Sequence, residues 1–300
     1  MLTNFKELEN YVLSQNMKKR IALANAHDEP ALSAVVNARR KGVVEGTLVG
    51  KKDEIIAMLH EMGESENDYE IVDFDGEELE AAKIAVQLVR EGKADIPMKG
   101  ILQTSNFARA ILNKETGLIP TGGRRLVSQC VIFEYEGRFV MITDAAINIA
   151  PDVETQIGIV ENALPVARAL GIDCPKVAVL SAVENVTDKM PSTVSAKEIA
   201  ERGVEGCVIS GPLALDGAIS MESVKHKAIH DPVAGQADIL LVPFIEIGNV
   251  LYKACTYIAG KTMASTICGA SCPVIITSRA DTPDSKYYSI LMAVLRCLKA

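Results

Sequence analysis

Short apolar runs alternate with longer amphipathic stretches through the first hundred positions of the chain. The runs KRIALANA (19–26), EGTLVG (45–50) and DYEIVDF (68–74) are bounded by polar turns, which is typical of buried strands. Between them, EPALSAVVNARRKG and DGEELEAAKIAVQLVREG repeat apolar residues at helical spacing and end at Gly42 and Gly92. Strands that alternate with helices in this way predict a parallel, doubly wound sheet.

One segment breaks the alternation. CVIFEYEGRFVMITDAA (130–146) contains two apolar strands joined at Glu136-Gly137, which predicts a β-hairpin inside a βα chain. Alternation then resumes and continues to a strand CPVIIT (272–277) and a last helix that starts near residue 284.

Length and composition favour two domains of this kind. The chain has 300 residues, is 48% hydrophobic and contains 4% aromatic residues and no Trp. Aliphatic side chains must therefore fill the core, which suits layered α/β packing. We predict an α/β fold with two doubly wound domains, one formed by 1–126 and 274–300 and the other by 127–273.

The net charge and the cysteines of the chain argue against several classes of function. The net charge of −8 argues against a nucleic-acid partner, because phosphates require a basic surface. We expect no membrane partner, since no apolar stretch approaches about 18 residues, and the N-terminus does not look like a secretory signal. Seven scattered cysteines without zinc-ligand spacing indicate reduced thiols, no metal site and a cytoplasmic location.

The clearest candidate chemistry follows the strand PVIIT, which ends on Ser278 and Arg279. Ligands of open α/β sheets bind beyond the carboxyl ends of the strands. A guanidinium there can grip phosphate or carboxylate through two parallel hydrogen bonds, and a hydroxyl can donate to a developing oxyanion. Asp281 and Asp284 come next, although residues of TPDS could instead cap the last helix.

Two other segments have the composition of ligand-binding loops. In MKGILQTSNFARAIL, Lys99 and Gly100 end a strand, and Thr104 and Arg109 follow across a helix start. A glycine turn before a helix N-terminus can bind an anion, although an ordinary βα turn has the same residues.

The second segment is PFIEIGNVLYKAC, in which Asn249 lies near a helix start and Lys253 lies one turn later. A helix cap and a surface lysine are the alternatives for these two residues. A nucleophilic cysteine is disfavoured, because none of the four histidines adjoins a cysteine in a recognisable arrangement.

From residue 97 onward the chain resembles the phosphate acetyltransferase and phosphate butyryltransferase family. The resemblance is carried, in order, by MKG with TSNFARAIL, SQCVIFEYEGRFVMITDAAINIAPD, KVAVLSAVENVTDKMPSTVSA, GPLALDGAIS, DPVAGQADILLVPFIEIGNVLYK and PVIITSRADTPDSKYYSI. MKG, GPLALD and HDPVAG are closer to the butyryl branch than to the acetyl branch.

The resemblance implies the reaction of acyl-CoA, preferably butyryl-CoA, with phosphate to give acyl phosphate and CoA. It implies direct attack in a ternary complex, with no metal or redox cofactor. The implied fold is that of the isocitrate and isopropylmalate dehydrogenases, with the active site in a cleft between two α/β domains. A homo-oligomer built on the second domain is also expected.

The resemblance further assigns roles to the candidate residues. Ser278, Arg279 and an aspartate would be catalytic, and substrate would be bound by Lys99, Gly100, Thr104, Arg109, Asn249 and Lys253. The family's acid lies seven positions after the serine, where this chain has Ser285. Asp284 is therefore the first candidate for the acid/base and Asp281 the second. Arg109 is likewise one residue out of step with the acetyl enzymes.

Three alternatives stay open at this point. The enzyme could prefer acetyl-CoA over butyryl-CoA. A dehydrogenase of the same fold group is disfavoured, because the chain lacks paired aspartates for a metal with matching arginines. A non-catalytic protein that binds CoA or acyl phosphate would explain the displaced aspartate.

Overall fold

The chain forms two compact units. The computed structural model describes residues 1–120, 122, 124–277 and 281–299. Met1–Asn4 and Leu126–Met263 form what we call the central unit, and Phe5–Arg125 and Ala264–Ala300 form the terminal unit. The domain limits drawn from the sequence stay a prediction.

The first part of the terminal unit contains α1 (Phe5–Ser14), β1 (Lys19–Ala24), α2 (Glu29–Arg40), β2 (Val44–Gly50), α3 (Lys52–Glu61), β3 (Glu70–Asp73), α4 (Glu78–Arg90), β4 (Ile96–Lys99) and α5 (Thr104–Ile111). Its strands form a parallel sheet in the order β3-β2-β1-β4. The parallel α/β pattern predicted for the first hundred residues is confirmed. Because all four strands run the same way, the residues after Ala24, Gly50 and Lys99 lie at one carboxyl edge of the sheet.

The strand predicted at 272–277 is wrong in its extent. Val274 and Ile275 form only isolated bridges, the second of them parallel to Met98 of β4. The bridge with Met98 still places this segment beside β4, where Lys99 N–H donates to the Ile275 carbonyl at 3.0 Å.

The sheet of the central unit contains the predicted hairpin. There β5 (Ser128–Tyr135) pairs antiparallel with β6 (Arg138–Thr143). The unit also contains α6 (Val153–Ala169), β7 (Lys176–Leu180), α7 (Pro191–Arg202), β8 (Val208–Leu213), α8 (Leu215–Ile219), α9 (Met221–Lys227), β9 (Ile239–Leu241) and α10 (Ile245–Lys253), which a π-helical segment (Ala254–Ile258) follows. From β6 the strand order continues β6-β9-β7-β8 in parallel. Glu136 and Gly137 both have positive φ, 47° and 74°, as a two-residue hairpin turn requires. The predicted hairpin is confirmed.

The chain then enters β10 (Met263–Cys268), a strand that the sequence pattern did not predict, and ends with α11 (Pro283–Lys299). All six residues of β10 are buried, although MASTIC has no continuous apolar run. The Ser265 hydroxyl donates to the Ile276 carbonyl at 3.2 Å, so its polar group is paired inside the core.

A buried carboxylate joins three helices of the terminal unit. Glu9 of α1 accepts hydrogen bonds from Lys41 at 2.8 Å, from Lys6 at 3.0 Å and from the Tyr287 hydroxyl of α11 at 2.9 Å. Burial alone would raise the pKa of Glu9, but these three donors outweigh it and lower the pKa to about 2. Glu9 therefore stays ionised over the physiological range and fixes α1 against α11.

Candidate functional site

Lys99 and Gly100 lie together at the carboxyl edge of the terminal sheet. Lys99 is buried, and its ammonium donates to the Gly100 carbonyl at 3.1 Å. Gly100 packs directly on the end of β1, because a Cβ there would lie 2.3 Å from the Asn25 carbonyl oxygen and 2.6 Å from that of Ala24. No side chain larger than hydrogen fits at this position, so the tight turn expected at Gly100 has a steric cause.

Thr104 is the first residue of α5 and is exposed. The helix start is already approached by a carboxylate, because Glu78 of α4 accepts from Gln103 N–H at 2.8 Å and from the Asn106 amide at 2.9 Å. This glutamate was not recognised from the sequence. The Glu78 carboxylate therefore accepts the hydrogen bond of a main-chain N–H group at the start of α5, where we expected an anion-binding helix terminus.

Arg109 lies in the last turn of the same helix and is exposed. Five residues separate it from Thr104, which corresponds to a rise of about 7.5 Å along the helix axis. Lys99 and Gly100 are thus neighbours of the α5 start, whereas Arg109 is at the opposite end of α5.

The start of α11 shows which residue of TPDS caps the helix. Thr282 Oγ1 accepts from Ser285 N–H at 3.1 Å, and Pro283 is the first helical residue. Asp284 is exposed on the first turn. Ser285, at the position of the family's acid, is buried and bonded to Thr282 at 3.0 Å. The helix cap is therefore Thr282, and Asp284 is not needed for that role.

Asp281 is half-buried, and its main chain is held by a lysine that was not recognised from the sequence. The Lys286 ammonium donates to the Asp281 carbonyl at 2.6 Å. Burial lowers the pKa of Lys286, while the carboxylates of Asp281, Asp28 and Glu29 oppose that shift. A cavity of about 250 Å³ lies beside these groups and is lined by Lys286, Asp281, Glu29 and Ser33, among others.

In the central unit, Asn249 and Lys253 lie one turn apart on α10. Asn249 is half-buried, and its amide nitrogen is 3.5 Å from the Ala145 carbonyl, whereas Lys253 is exposed in the last turn. The cap residue of α10 is Phe244, so Asn249 lies inside the helix and is not its cap. The helix start predicted near Asn249 is thus four residues late.

Ser278 and Arg279, the residues placed first by the sequence argument, lie outside the described residues. Their predicted roles stay a prediction. The described residues on either side, Thr277 and Asp281, are buried and half-buried respectively.

Three of the described thiols have the properties of structural cysteines. Burial raises the pKa of Cys207 and of Cys297 to about 11 and that of Cys272 to about 12. A thiolate is the reactive form of cysteine, so these groups are poor nucleophiles near neutral pH.

Two absences hold for the part of the chain that the structure describes. No group of three or more His, Cys, Asp or Glu side chains there could hold a metal ion. None of the helices there has both the length and the apolar character needed to cross a membrane.

Comparison with known proteins identifies the class. The family described as "Phosphate acetyl/butaryl transferase" matches residues 77–294. The chain belongs to this family, so the resemblance predicted from the sequence and the predicted enzyme class, a phosphate acyltransferase, are confirmed.

Individual relatives extend the match over the whole chain. It is 44% identical over 301 aligned positions to phosphate butyryltransferase of Clostridium acetobutylicum, covering 98% of each protein. It is 37% identical over 287 positions to phosphate acetyltransferase of Thermotoga maritima, covering 94% of this chain and 97% of that protein.

A solved structure agrees with these matches. The crystal structure of a branched-chain phosphotransacylase from Enterococcus faecalis superposes with a TM-score of 0.83 at 36% identity, covering 93% of this chain and 99% of that chain. Together with the parallel strands in the sheets of both units, this similarity confirms the predicted α/β fold class.

Proposed function

We propose that the protein transfers a short acyl group, preferably butyryl, between CoA and inorganic phosphate. In this reaction a phosphate oxygen forms a bond to the thioester carbonyl carbon, the carbon–sulfur bond breaks, and the CoA sulfur takes up a proton. The observation that carries the proposal is the 44% identity to a phosphate butyryltransferase over 98% of both chains.

The transfer proceeds by direct attack of phosphate on the acyl-CoA in a ternary complex. A covalent acyl-enzyme on cysteine is disfavoured by the raised pKa values of Cys207, Cys272 and Cys297. Without a protein nucleophile, catalysis depends on positioning and on charge stabilisation. Holding the two reactants in line lowers the barrier by roughly 7–11 kcal/mol.

Arg279 grips the phosphate, and Ser278 donates to the oxyanion that forms at the thioester carbonyl. One well-placed oxyanion donor contributes about 2.7–4 kcal/mol in other enzymes. Lys99, Gly100 and Thr104 contribute to substrate binding at the carboxyl edge of the terminal sheet, Arg109 adds a cation from the same helix, and Asn249 and Lys253 bind substrate from α10.

Asp284 remains the first candidate for the acid/base that moves the proton to and from sulfur. Its exposure and the capping of α11 by Thr282 favour this role, because the carboxylate is not required to hold the helix. Asp281 is the second candidate, and its fixed main chain favours it. Ser285 is too buried and too weak an acid to replace either.

The remaining expectations follow from the same proposal. CoA thioester and phosphate are substrates, and no metal or redox cofactor is required. The enzyme acts in the cytoplasm as a homo-oligomer, without a nucleic-acid or membrane partner. The net charge of −8 supports the exclusion of nucleic acid.

Acetyl-CoA is the alternative substrate, which the 37% identity to a phosphate acetyltransferase supports. The two substrates differ by two methylenes, each worth only about 1–3 kcal/mol of discrimination. A non-catalytic CoA-binding protein is the third candidate, and Ser285 in place of the family's acid is its support.

The decisive assay measures thiol release from acetyl-, propionyl-, butyryl- and isobutyryl-CoA, with and without phosphate. The proposal predicts phosphate-dependent release with the highest kcat/KM for butyryl-CoA. Highest kcat/KM for acetyl-CoA would favour the alternative substrate. CoA binding by calorimetry without turnover of any thioester would favour the binding protein.

A further inference from the structure

The Asp144 carboxylate is buried and saturated with hydrogen bonds. It is 2% exposed and follows β6 directly. Oδ1 accepts from the main-chain N–H groups of Gln129 at 3.0 Å, Ala146 at 3.1 Å and Ile147 at 3.1 Å. Oδ2 accepts from the Asn148 N–H at 3.0 Å and from its side-chain amide at 2.5 Å. Five donors on one carboxylate offset the cost of burying its charge.

These bonds give the loop 144–149 a fixed shape. Three successive N–H groups turn toward one carboxylate, so the path of the main chain through Ala146, Ile147 and Asn148 is determined by a single side chain. The Asn148 amide also donates to the Val127 carbonyl at 2.9 Å, which ties the loop to the start of the hairpin.

The fixed loop in turn supports α10. Its Ile149 carbonyl accepts from the N–H of Ile245, the first residue of α10, at 3.0 Å. Gly248 lies against the start of the loop, where a Cβ would be 2.5 Å from the Asp144 carbonyl oxygen and 3.0 Å from Ala145 Cα. The Asn249 amide is 3.5 Å from the Ala145 carbonyl. Three contacts within the first two turns of α10 thus connect the loop to the helix that carries Asn249.

We propose that Asp144 is a positioning residue of the acyltransferase: its carboxylate shapes the 144–149 loop, and the loop sets the placement of Asn249. The inference rests on the proposed function, which gives Asn249 a role in substrate binding. Asp144 itself is buried and acts only through the main chain of the loop and through α10.

The first experiment is D144N, assayed for phosphate-dependent thiol release from butyryl-CoA. Whichever oxygen becomes an amide group, it faces at least two N–H donors that it can no longer accept, so the loop must move. We expect kcat/KM to fall at least tenfold. D152N is the matched control, because Asp152 is in the following turn and caps α6 through Thr155 N–H at 2.8 Å. Asparagine caps a helix equally well, so D152N keeps the wild-type rate within twofold.

The second measurement separates positioning from general support of the fold. If Asp144 acts through Asn249, the N249A background removes most of the effect of D144N, and the double variant is no more than twofold slower than N249A alone. If D144N slows the N249A enzyme by the same factor as it slows the wild-type enzyme, the inference is wrong. A folded D144N enzyme with wild-type kcat/KM also overturns it.

If D144N does not fold, N148A answers the same question. It removes the Asn148 amide contacts to Asp144 and Val127 but leaves every main-chain donor, and we expect a three- to tenfold loss that also disappears with N249A. Wild-type rates for N148A would then overturn the inference. A fully active N249A also overturns it, while phosphate-dependent turnover by the unaltered enzyme would still support the proposed reaction. Absence of turnover by the unaltered enzyme would overturn both.

Discussion

The Lys286 ammonium donates a 2.6 Å hydrogen bond to the main-chain carbonyl of Asp281, five residues earlier in the chain. Lys286 is 3% exposed and Asp281 is half-buried, so the contact lies at the edge of the core. The bond fixes the chain just after the predicted Ser278-Arg279 pair and just before α11.

Loss of this donor should destabilise the terminal unit. Lys286→Met removes the ammonium at similar length, and a hydrogen bond made by a charged group contributes about 1.5–3 kcal/mol. We expect a decrease of that size in the free energy of unfolding, measured by urea denaturation. Lys83→Met, which removes a half-exposed lysine paired with Glu80, is the control and should change stability by less than about 0.5 kcal/mol. Equal stability of the two variants would show that the Lys286 contact has little energetic weight.

Glu9 should make the stability of the terminal unit depend on pH. Its pKa falls from 4.5 to about 2 on folding, so the carboxylate stabilises the fold above about 4.5 and loses that contribution as the pH drops toward 2. The contribution is on the order of 3 kcal/mol. The difference in unfolding free energy between wild type and Glu9→Gln should therefore be largest near neutral pH and shrink as the solution is acidified. Glu61→Gln, at an exposed position, is the control for the substitution itself. A Glu9→Gln difference that does not shrink on acidification would contradict the pKa argument.

Gly100→Ala tests whether the β4–α5 turn serves the reaction. The added Cβ would lie 2.3 Å and 2.6 Å from two main-chain oxygens, so the turn must shift away from β1. We expect at least a tenfold loss of phosphate-dependent thiol release. Gly42→Ala is the control, because Gly42 has φ of 77° and open space around it. It should cost about 1–2 kcal/mol of stability and leave the rate unchanged. A fully active Gly100→Ala enzyme would show that Lys99 and Gly100 are not part of the substrate-binding site.

Asp284→Asn and Asp281→Asn compare the two candidate acids. General acid/base catalysis typically contributes 10²–10⁴-fold, so the variant that removes the true group should lose about that factor in kcat. The same variant should also lose the limb of the pH–rate profile that the missing carboxyl produces. We expect this result for Asp284→Asn. If only Asp281→Asn shows this loss, Asp281 is the acid/base. If both variants stay active, neither carboxylate moves the proton.

Local patterns predicted several elements correctly because their signals are short-range. The hairpin follows from Glu136-Gly137, whose positive φ angles the turn requires. The alternating strands and helices of the first hundred residues follow from hydrophobic spacing. β10 was missed because its buried Ser265 and Thr266 are polar, and their burial depends on partners such as Ser289 and Arg296 on α11.

In the candidate site, too, some features could be predicted from the sequence and others could not. Lys99 and Gly100 could be placed at a strand end from the sequence alone. Glu78 at the start of α5 and Lys286 beside Asp281 could not, because those contacts depend on how α4 and α11 pack. The role of Asp144 likewise could not be predicted, since the sequence shows a carboxylate after a strand but not the five N–H groups that donate to it.

The most direct test follows the phosphate itself. Purified enzyme is mixed with butyryl-CoA and inorganic phosphate, and butyryl phosphate is measured by phosphorus NMR while free thiol is measured in the same sample. We expect one acyl phosphate to form per thiol released, and a rate at least tenfold lower for Arg279→Ala. Thiol release without acyl phosphate, or an Arg279→Ala enzyme as fast as the wild type, would contradict the proposed function.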